Sequence, residues 1–207
     1  METPRPYAQR LRAESAAQTR LRILDSVYDR LRQSPAERVA VDRVARDAGV
    51  SRSTVYLIFG DRSGLFDAVG ADLLDRAGFA DVLAAVDNPD ARAAMRAFMR
   101  ATVDMYAASR DVLRSLYSMA QLDPEAVGGA IARLEKGRLE GMQRVAAGLA
   151  AAGELRDDVT VDEATDVLWL LSSFDSFDLL HHGRGRTAGS VAATLSRAVE
   201  QSILAPI

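Results

Sequence analysis

Residues 47–66 read DAGVSRSTVYLIFGDRSGLF. This stretch places glycines, hydroxyl side chains, aromatic residues and two arginines between two segments of helical periodicity. Such a combination suits four structures: a phosphate-binding loop, a catalytic elbow, a helix corner that grips DNA, or a simple polar turn. Each of the four requires different neighbours at different spacings.

The spacing excludes the phosphate-binding loop and the catalytic elbow. A phosphate-binding loop needs G-x-x-x-x-G-K-[ST] after a strand, and Gly60-Asp61-Arg62-Ser63-Gly64 has neither that spacing nor a preceding strand pattern. An elbow needs G-x-S-x-G, but here the serine is fourth, and His181 and His182 lie more than a hundred residues away. The chain has no cysteine. We therefore expect neither an enzyme nor a metal or cofactor site.

A helix-turn-helix motif makes stricter demands, and the stretch meets them. Ala45 is small where a second helix must approach closely, and Gly49 stands at the corner, where the chain needs a positive φ. Ser51 is placed to cap the second helix. The residues expected to bury the pair are Val44, Ala48, Val50, Val55 and Ile58. The residues expected on the outward side are Arg52, Ser53, Thr54, Tyr56 and Leu57.

The rest of the chain is expected to be nearly all α-helical. Apolar residues recur every three or four positions, and no strand-like alternation of useful length is present. Asn88-Pro89 and Asp123-Pro124 each pair a capping residue with a proline suited to the first helical position. Thr160 to Glu163 forms a capping box. The predicted segments are a polar arm at 1–16, a first helix from 17, and helices at about 41–48, 52–59, 62–84, 161–182 and 188–204.

Charge divides the chain after Phe66. Residues 1–66 hold 12 arginines and 8 acidic residues, a net charge of +4, whereas the remainder carries −7. A basic end joined to an acidic body indicates that the N-terminal part meets a polyanion. We expect a basic flexible arm at 1–16, a DNA-binding domain at 17–66 and a second helical domain at 67–207. The apolar runs are too short to span a membrane, and residues 1–16 lack a signal-peptide core, so we expect a cytoplasmic protein.

The segment Val41–Leu65 resembles the DNA-binding signature of the tetracycline-repressor (TetR) family. The matching elements are Val44-Ala45, Ala48-Gly49-Val50-Ser51, Thr54-Val55-Tyr56, Phe59, and the basic residue at 62 followed by Leu65. Val39 and Ala40 depart from the pattern, because family members often have a hydroxyl residue there that caps the second helix. Arg62 replaces the usual lysine. The resemblance implies an all-α chain with an N-terminal three-helix domain and a larger C-terminal ligand-binding and dimerisation domain.

The resemblance also implies how DNA would be bound. The helix at 52–59 would enter the major groove, with Arg52 and Ser53 contacting base edges and Leu57 packing on a thymine methyl group. Thr54, Tyr56 and Arg62 would hold phosphates. Arg5, Arg10 and Arg12 are either minor-groove contacts or a solvated arm.

One recognition helix contacts few base pairs, so we expect a homodimer on a near-palindromic operator. The last two helices are expected to form the dimer surface through Val191, Ala192, Leu195, Val199 and Leu170, among others. The same apolar stripes would alternatively be core within one chain.

The resemblance implies a small-molecule pocket among the C-terminal helices, whose occupation releases the DNA. A mixture of methionine and aromatic side chains suits an apolar or aromatic effector. Asp175, Asp178 and His182 are spaced to share a helix face, where they would contact a polar group or, more simply, solvent. The candidate ligand-binding residues, of which any single apolar one could alternatively be core, are Phe98, Met105, Tyr106, Tyr117, Met142, Trp169, Phe174, Asp175, Phe177 and Asp178.

These observations favour a ligand-responsive transcriptional regulator, most often a repressor in this family. The alternative is a DNA-binding adaptor whose C-terminal domain binds a protein partner instead of a small molecule. Release of DNA by an apolar compound would separate the two.

Overall fold

The computed structural model describes residues 5–33 and 38–206, with side chains from Glu14 onward in the first segment. Within these ranges the chain forms ten α-helices and no strand, as the sequence predicts. The helices are α1 (Arg5–Gln33), α2 (Val41–Asp47), α3 (Arg52–Phe59), α4 (Arg62–Arg76), α5 (Phe79–Val86), α6 (Ala91–Leu122), α7 (Gly129–Ala151), α8 (Val161–Leu171), α9 (Phe174–His181) and α10 (Ala188–Ile203). A π-helical turn, Pro124–Gly128, separates α6 from α7.

The chain divides into two compact units. The first comprises the chain up to Ala71 together with Asp111–Ile131, and the second comprises Asp72–Arg110 and Ala132–Ile207. The C-terminal part of α6 therefore belongs to the same unit as α1 to α3. The domain limits 1–16, 17–66 and 67–207 stay predictions, since compactness alone assigns no function.

The first unit is built around one face of α1. Ile23, Leu24, Val27 and Leu31 of that face are buried. Two side chains fasten it to its neighbours: the Tyr28 hydroxyl donates to the Val69 carbonyl of α4 at 3.3 Å, and the Ser26 hydroxyl donates to the Val44 carbonyl of α2 at 3.1 Å. The apolar period in the sequence thus predicts the face, and these bonds position α2 and α4 against it.

Two helices predicted to be continuous are broken. The predicted helix at 62–84 ends at Arg76, because Gly78 adopts φ = 81° and starts α5 in a new direction. The predicted helix at 161–182 ends at Leu171, and the Ser173 hydroxyl caps α9 by accepting from the Ser176 amide at 3.1 Å. Both predictions of continuity were wrong, since apolar spacing continues across each break.

Two helix starts also differ from expectation. α1 begins at Arg5, so the segment predicted as an arm outside the first helix is helical where described. The side chains of Arg5, Arg10 and Arg12 lie outside the described part of the chain. α6 is capped by Asp90, whose carboxylate accepts from the Ala93 amide at 2.9 Å, and not by Asn88. The capping box at Thr160 and Glu163 is confirmed.

The second unit has its own core, in which α10 packs against α8 and α9. Val191, Ala192, Leu195 and Val199 of α10 are buried within the chain itself. The alternative that this stripe is intrachain core therefore holds for these four residues. None of the described helices is both long enough and apolar enough to cross a bilayer.

Candidate nucleic-acid interface

The corner between α2 and α3 is made by Gly49, as its position predicts. Gly49 has φ = 67°, a conformation that costs little for a residue without a Cβ atom. The chain reverses tightly there: the Val50 amide donates to the Ala45 carbonyl at 2.9 Å and the Gly49 amide to the Arg46 carbonyl at 3.2 Å. These bonds satisfy carbonyls at the end of α2 and aim α3 away from it.

The hydroxyl run organises the start of α3. Ser51 is its N-cap, and the Ser51 Oγ accepts from the Thr54 amide at 3.0 Å. The hydroxyls of Ser53 and Thr54 each lie 2.8 Å from the same oxygen. One side of α3 is fixed through Val55, which is fully buried. The opposite side is open, and its Leu57 is 85% exposed, an unusual position for a leucine with only a structural role.

Arg52 is held by two neighbours on this open side. Its Nη1 atom lies 3.2 Å from both carboxylate oxygens of Asp42 in α2, and its Nη2 atom donates to the Tyr56 hydroxyl at 3.1 Å. The guanidinium also lies over the Tyr56 ring, 5.3 Å from its centroid. The hydrogen bond to Tyr56 and the charge of Asp42 raise the pKa of Arg52 above its ordinary value. Arg52 and Tyr56, both expected at DNA, thus form one ordered group with Asp42, which the sequence analysis did not single out.

The start of α2 lacks a side-chain cap. Ala40 is its N-cap residue, with φ = −90° and ψ = 129°, and it offers only its carbonyl, to the amides of Arg43 and Val44. Val39 is buried. Because Val39 and Ala40 replace the hydroxyl residues of the family pattern, α2 starts without a side-chain hydroxyl cap.

Arg62, expected to hold a phosphate, is engaged within the first unit. Its Nη1 atom forms an ion pair with Asp123, its Nε atom donates to the Val39 carbonyl at 3.3 Å, and its guanidinium lies over the Phe66 ring. Arg38 donates to the same carboxylate oxygen of Asp123 at 2.7 Å. Hydrogen bonding to Arg62, and then to Arg38, lowers the pKa of Asp123 below its usual range.

The end of α3 meets the start of α4 at close range. A Cβ atom at Gly64 would overlap the carbonyl oxygen of Phe59. The Gly64 amide donates to the Asp61 carboxylate at 2.7 Å, which fixes the short connection between the helices. On the other side of Phe59, the Arg20 guanidinium of α1 lies 5.6 Å from its ring centroid. Phe59 is thus in contact with α1 through Arg20 and with the start of α4 through its carbonyl.

Three of the candidate ligand-binding residues pack against one another in the second unit. The Tyr106 ring meets Phe174 edge to face at 5.5 Å and Phe177 at 5.7 Å between centroids. The Tyr106 hydroxyl donates to the Ser172 carbonyl at 3.2 Å, and burial raises the pKa of this phenol. His181 stacks on Phe177 at 4.9 Å. The structure therefore assembles an aromatic cluster of Tyr106, Phe174 and Phe177 from α6 and α9.

The two aspartates of α9 have different surroundings. Asp178 is buried and accepts from the Arg110 Nε atom at 2.6 Å, whereas Asp175 and His182 are exposed. The common face expected for Asp175, Asp178 and His182 is therefore divided between core and surface. Among the described residues, no group of three or more histidine, aspartate or glutamate side chains could hold a metal ion.

Trp169 belongs to a second polar contact in this unit. The Arg138 guanidinium lies 3.8 Å from the Trp169 ring centroid and donates to the Trp169 carbonyl at 2.7 Å. Glu135 accepts from Arg138 at 2.6 Å. Sequence reasoning missed Arg138 and Glu135, although their spacing of three on one helix is a recognisable signal for an ion pair.

The remaining candidate ligand residues are dispersed. Phe98 and Met142 are buried in the second unit, Met105 is half-buried there, and Tyr117 belongs to the first unit. A groove of about 320 Å³ in the second unit is lined by Val86, Pro89, Arg144 and their neighbours, and contains none of the predicted residues. The ligand-binding assignments stay predictions.

Sequence reasoning also missed two acidic residues of the first unit. Asp42 lies ten positions before Arg52, and a helix-turn-helix alignment that tracked both helices could have paired them. Asp123 is separated from Arg62 by 61 positions, and no local pattern connects them.

Comparison with known proteins agrees with this geometry. The family model for bacterial regulatory proteins of the tetR family matches residues 23–69, which run from α1 into α4. No curated protein is a significant match to the chain.

Solved structures share the fold over nearly the full chain. NalD, described as the secondary repressor of the MexAB-OprM multidrug efflux pump in Pseudomonas aeruginosa, is 18% identical with a TM-score of 0.70, over 92% of this chain and 99% of that one. The fatty acid degradation regulator FadR from Bacillus halodurans is 13% identical with a TM-score of 0.70, over 89% and 95%. A TetR family transcription regulator from Marinobacter aquaeolei VT8 is 14% identical with a TM-score of 0.68, over 94% and 100%.

Proposed function

Because the chain belongs to the TetR family of bacterial regulatory proteins and has the fold of its transcriptional regulators, we propose that it binds a specific DNA sequence and regulates transcription, acting as a repressor. The observation that carries the proposal is the open side of α3. A short helix, capped by Ser51 and anchored by Val55, presents exposed Arg52, Ser53 and Leu57. A leucine that is 85% exposed, on the same short helix as an exposed arginine, suits a base-reading surface better than a solvated one.

In this proposal α3 lies in the major groove. Arg52 and Ser53 contact base edges, and Leu57 packs on a thymine methyl group. Thr54 and Tyr56 are half-buried and flank the open side, which suits contacts to phosphate. Arg62 reaches a phosphate only by sharing its guanidinium with Asp123 or by leaving it.

We expect the protein to act as a dimer on a near-palindromic operator. One helix as short as α3 contacts only a few base pairs, so a two-fold arrangement supplies the missing specificity. Leu170 of α8 and Leu179 of α9 are 65% and 70% exposed, which supports an apolar contact between subunits in the second unit.

The effector is proposed to be a small apolar or aromatic molecule. The aromatic cluster of Tyr106, Phe174 and Phe177 is buried, and such a ligand would bind by displacing one of these rings from the others. NalD is a repressor associated with a multidrug efflux pump and FadR is a regulator of fatty acid degradation, and both share the fold. Binding near these rings would change the packing of α6 against α9 and lower affinity for the operator.

One observation favours a second candidate. The three rings already fill one another's surfaces, and exposed leucines lie on α8 and α9. A DNA-binding adaptor that recruits a protein partner through the second unit needs no cavity. Apolar compounds that release DNA from the pure protein would exclude this candidate.

Selection of bound DNA from a random pool tests the main proposal. We expect one recovered motif with inverted half-sites, because each subunit would present one α3. A pool that stays random after several rounds would refute sequence-specific binding, and a motif without symmetry would refute the dimer.

Substitution Tyr56→Ala tests the position of α3. We expect it to abolish binding to the selected motif, because it removes both the expected phosphate contact and the support for Arg52, while the oligomeric state persists. Fluorescence anisotropy with labelled duplex measures the first effect and light scattering the second. Tyr56→Phe separates the hydroxyl from the ring: it retains the ring near the guanidinium and loses the hydroxyl that contacts Arg52 and is expected to contact phosphate, so its binding should be weakened less than that of Tyr56→Ala. Retained binding by Tyr56→Ala would place α3 outside the groove.

A further inference from the structure

Asp42 forms an ion pair with Arg52 on the open side of α3, and the proposed function gives it no role. We propose that Asp42 is a specificity-determining residue, which positions Arg52 for one base and disfavours binding to other sequences. This inference rests on the proposed DNA-binding function and deepens it. Asp42 itself acts through Arg52.

The geometry fixes the Arg52 guanidinium from three directions. Asp42 accepts from Nη1, Tyr56 accepts from Nη2, and the guanidinium carbon lies 5.3 Å from the centroid of the Tyr56 ring. Asp42 approaches from α2 and Tyr56 from α3 itself, so the group spans both helices of the motif. An arginine has five N–H donors. Donors therefore stay available for the two acceptors of a guanine edge while Asp42 and Tyr56 are still engaged.

Ordering of the Arg52 side chain before DNA binds favours affinity, because an arginine side chain is long and flexible. Immobilising such a side chain on binding costs about 0.5–1.5 kcal/mol. A guanidinium already held by Asp42 and Tyr56 loses less freedom when it meets a base. Both side chains are more than half exposed, so this ion pair adds little to folding stability. A contact that contributes little to stability but orders a base-reading side chain is better explained by recognition.

The carboxylate also acts against wrong sequences. A negative charge beside a major groove is repelled by phosphates and by acceptor-rich base edges, and this cost is offset only where Arg52 finds its own partner. Removing the charge should therefore strengthen binding to random DNA while weakening discrimination. Loss of an ion pair with only a structural role would not raise the affinity for random DNA and at the same time lower the discrimination between sequences.

The experiment compares Asp42→Asn with the wild-type protein on three kinds of duplex: the selected motif, single-base-pair variants of it, and a random sequence. We expect Asp42→Asn to lose on the order of threefold to tenfold of its discrimination at one base-pair position per half-site. Arg52→Ala should lose discrimination at that same position. Affinity for the random duplex should rise a few-fold. Asp42→Glu should restore part of the discrimination.

Asp47→Asn is the matched control, since it removes the same charge from the same helix at a carboxylate that pairs with Arg30 instead. It should leave discrimination unchanged. Unchanged discrimination in Asp42→Asn, or an equal loss at all positions, would overturn the inference. A gain in affinity for the motif with unchanged discrimination would also overturn it, because Asp42 would then only compete with DNA for Arg52. If the wild-type protein selects no motif, the proposed function itself fails and the role of Asp42 falls with it.

Discussion

Asp123 receives hydrogen bonds from Arg38 and Arg62, although its place in the chain is the N-cap of the π-helical turn. Its carboxylate makes no cap bond to that turn. Asp123 is nearly buried and Arg62 largely so, whereas Arg38 is mostly exposed. Arg62 is thus the partner that matters for stability, since buried pairs are costly to break and exposed pairs contribute little.

Substitution Asp123→Asn should destabilise the protein in a pH-dependent way. The folded state lowers the pKa of this carboxyl, so its contribution to stability is complete above about pH 4, the ordinary range for aspartate, and is lost as the pH falls through the lower folded value. At neutral pH we expect the free energy of unfolding to fall by about 1–3 kcal/mol, because asparagine keeps an acceptor oxygen but not the charge. The difference from the wild-type protein should shrink towards pH 3. Urea unfolding at a series of pH values measures it.

Asp158→Asn is the control for this pH series. Hydrogen bonding to Arg156 also lowers the pKa of Asp158, but that pair is exposed on the surface. Its effect should be small at every pH, since solvent screens the pair. A pH-independent loss in Asp123→Asn would show that packing, and not charge, is responsible.

The sequence predicted the roles of residues whose partners lie within a few positions of them. It did not predict contacts between residues that are far apart in the chain. The positive φ of Gly49 and the cap at Ser51 follow from spacing within a few positions. The pairing of Arg62 with Asp123 depends on how α6 returns to the first unit, which no local pattern encodes. Arg62 was therefore assigned to DNA alone.

Helix starts were predicted best where a hydroxyl or carboxyl side chain caps the helix. Thr160 and Glu163 predict a capping box at the start of α8, and the structure confirms it. The breaks at Gly78 and at Ser172-Ser173 were missed, because apolar spacing records which face is buried and not the direction of the helix axis. At the start of α2 the N-cap residue is Ala40, so no side chain accepts a hydrogen bond from the first amides of this helix.

Substitution Ala40→Thr should stabilise α2. Ala40 is exposed and already has the extended backbone that an N-cap residue adopts, so a hydroxyl could accept an amide hydrogen bond without rearrangement. Compared with Ala40→Val, which has the same shape without the hydroxyl, we expect a gain of about 1 kcal/mol in the free energy of unfolding. Thermal and urea unfolding of the two variants measure it. Equal stability would mean that water already satisfies these amides.

The whole molecule separates its charge along the sequence. The net charge of +4 before residue 67 is expected to favour contact with DNA, and the acidic remainder is expected to oppose non-specific adhesion of the rest of the chain to it. This separation is visible in the sequence without any structure. The composition of the two compact units is not, since Asp111–Ile131 joins the first unit from the middle of the chain.

Affinity for DNA should fall as salt rises. If a dimer neutralises two phosphates through its Arg62 side chains, affinity should drop about tenfold between roughly 50 and 200 mM salt. Arg62→Gln should flatten that dependence, whereas Arg184→Gln, a change in an exposed turn of the second unit, should not. Anisotropy titrations at several salt concentrations measure it. Unaltered salt dependence in Arg62→Gln would mean that this arginine stays with Asp123 when DNA binds.

The close contact that Gly64 allows between α4 and the end of α3 has a consequence for how the DNA preference of such a protein can evolve. Since the backbone of α4 rests directly on the Phe59 carbonyl, the angle at which α3 projects is set by main-chain atoms on both sides. Arg52, Ser53 and Leu57 take no part in that contact. Their identities can therefore change through mutation without altering the projection of the helix, and new operator preferences can arise one residue at a time on an unchanged scaffold.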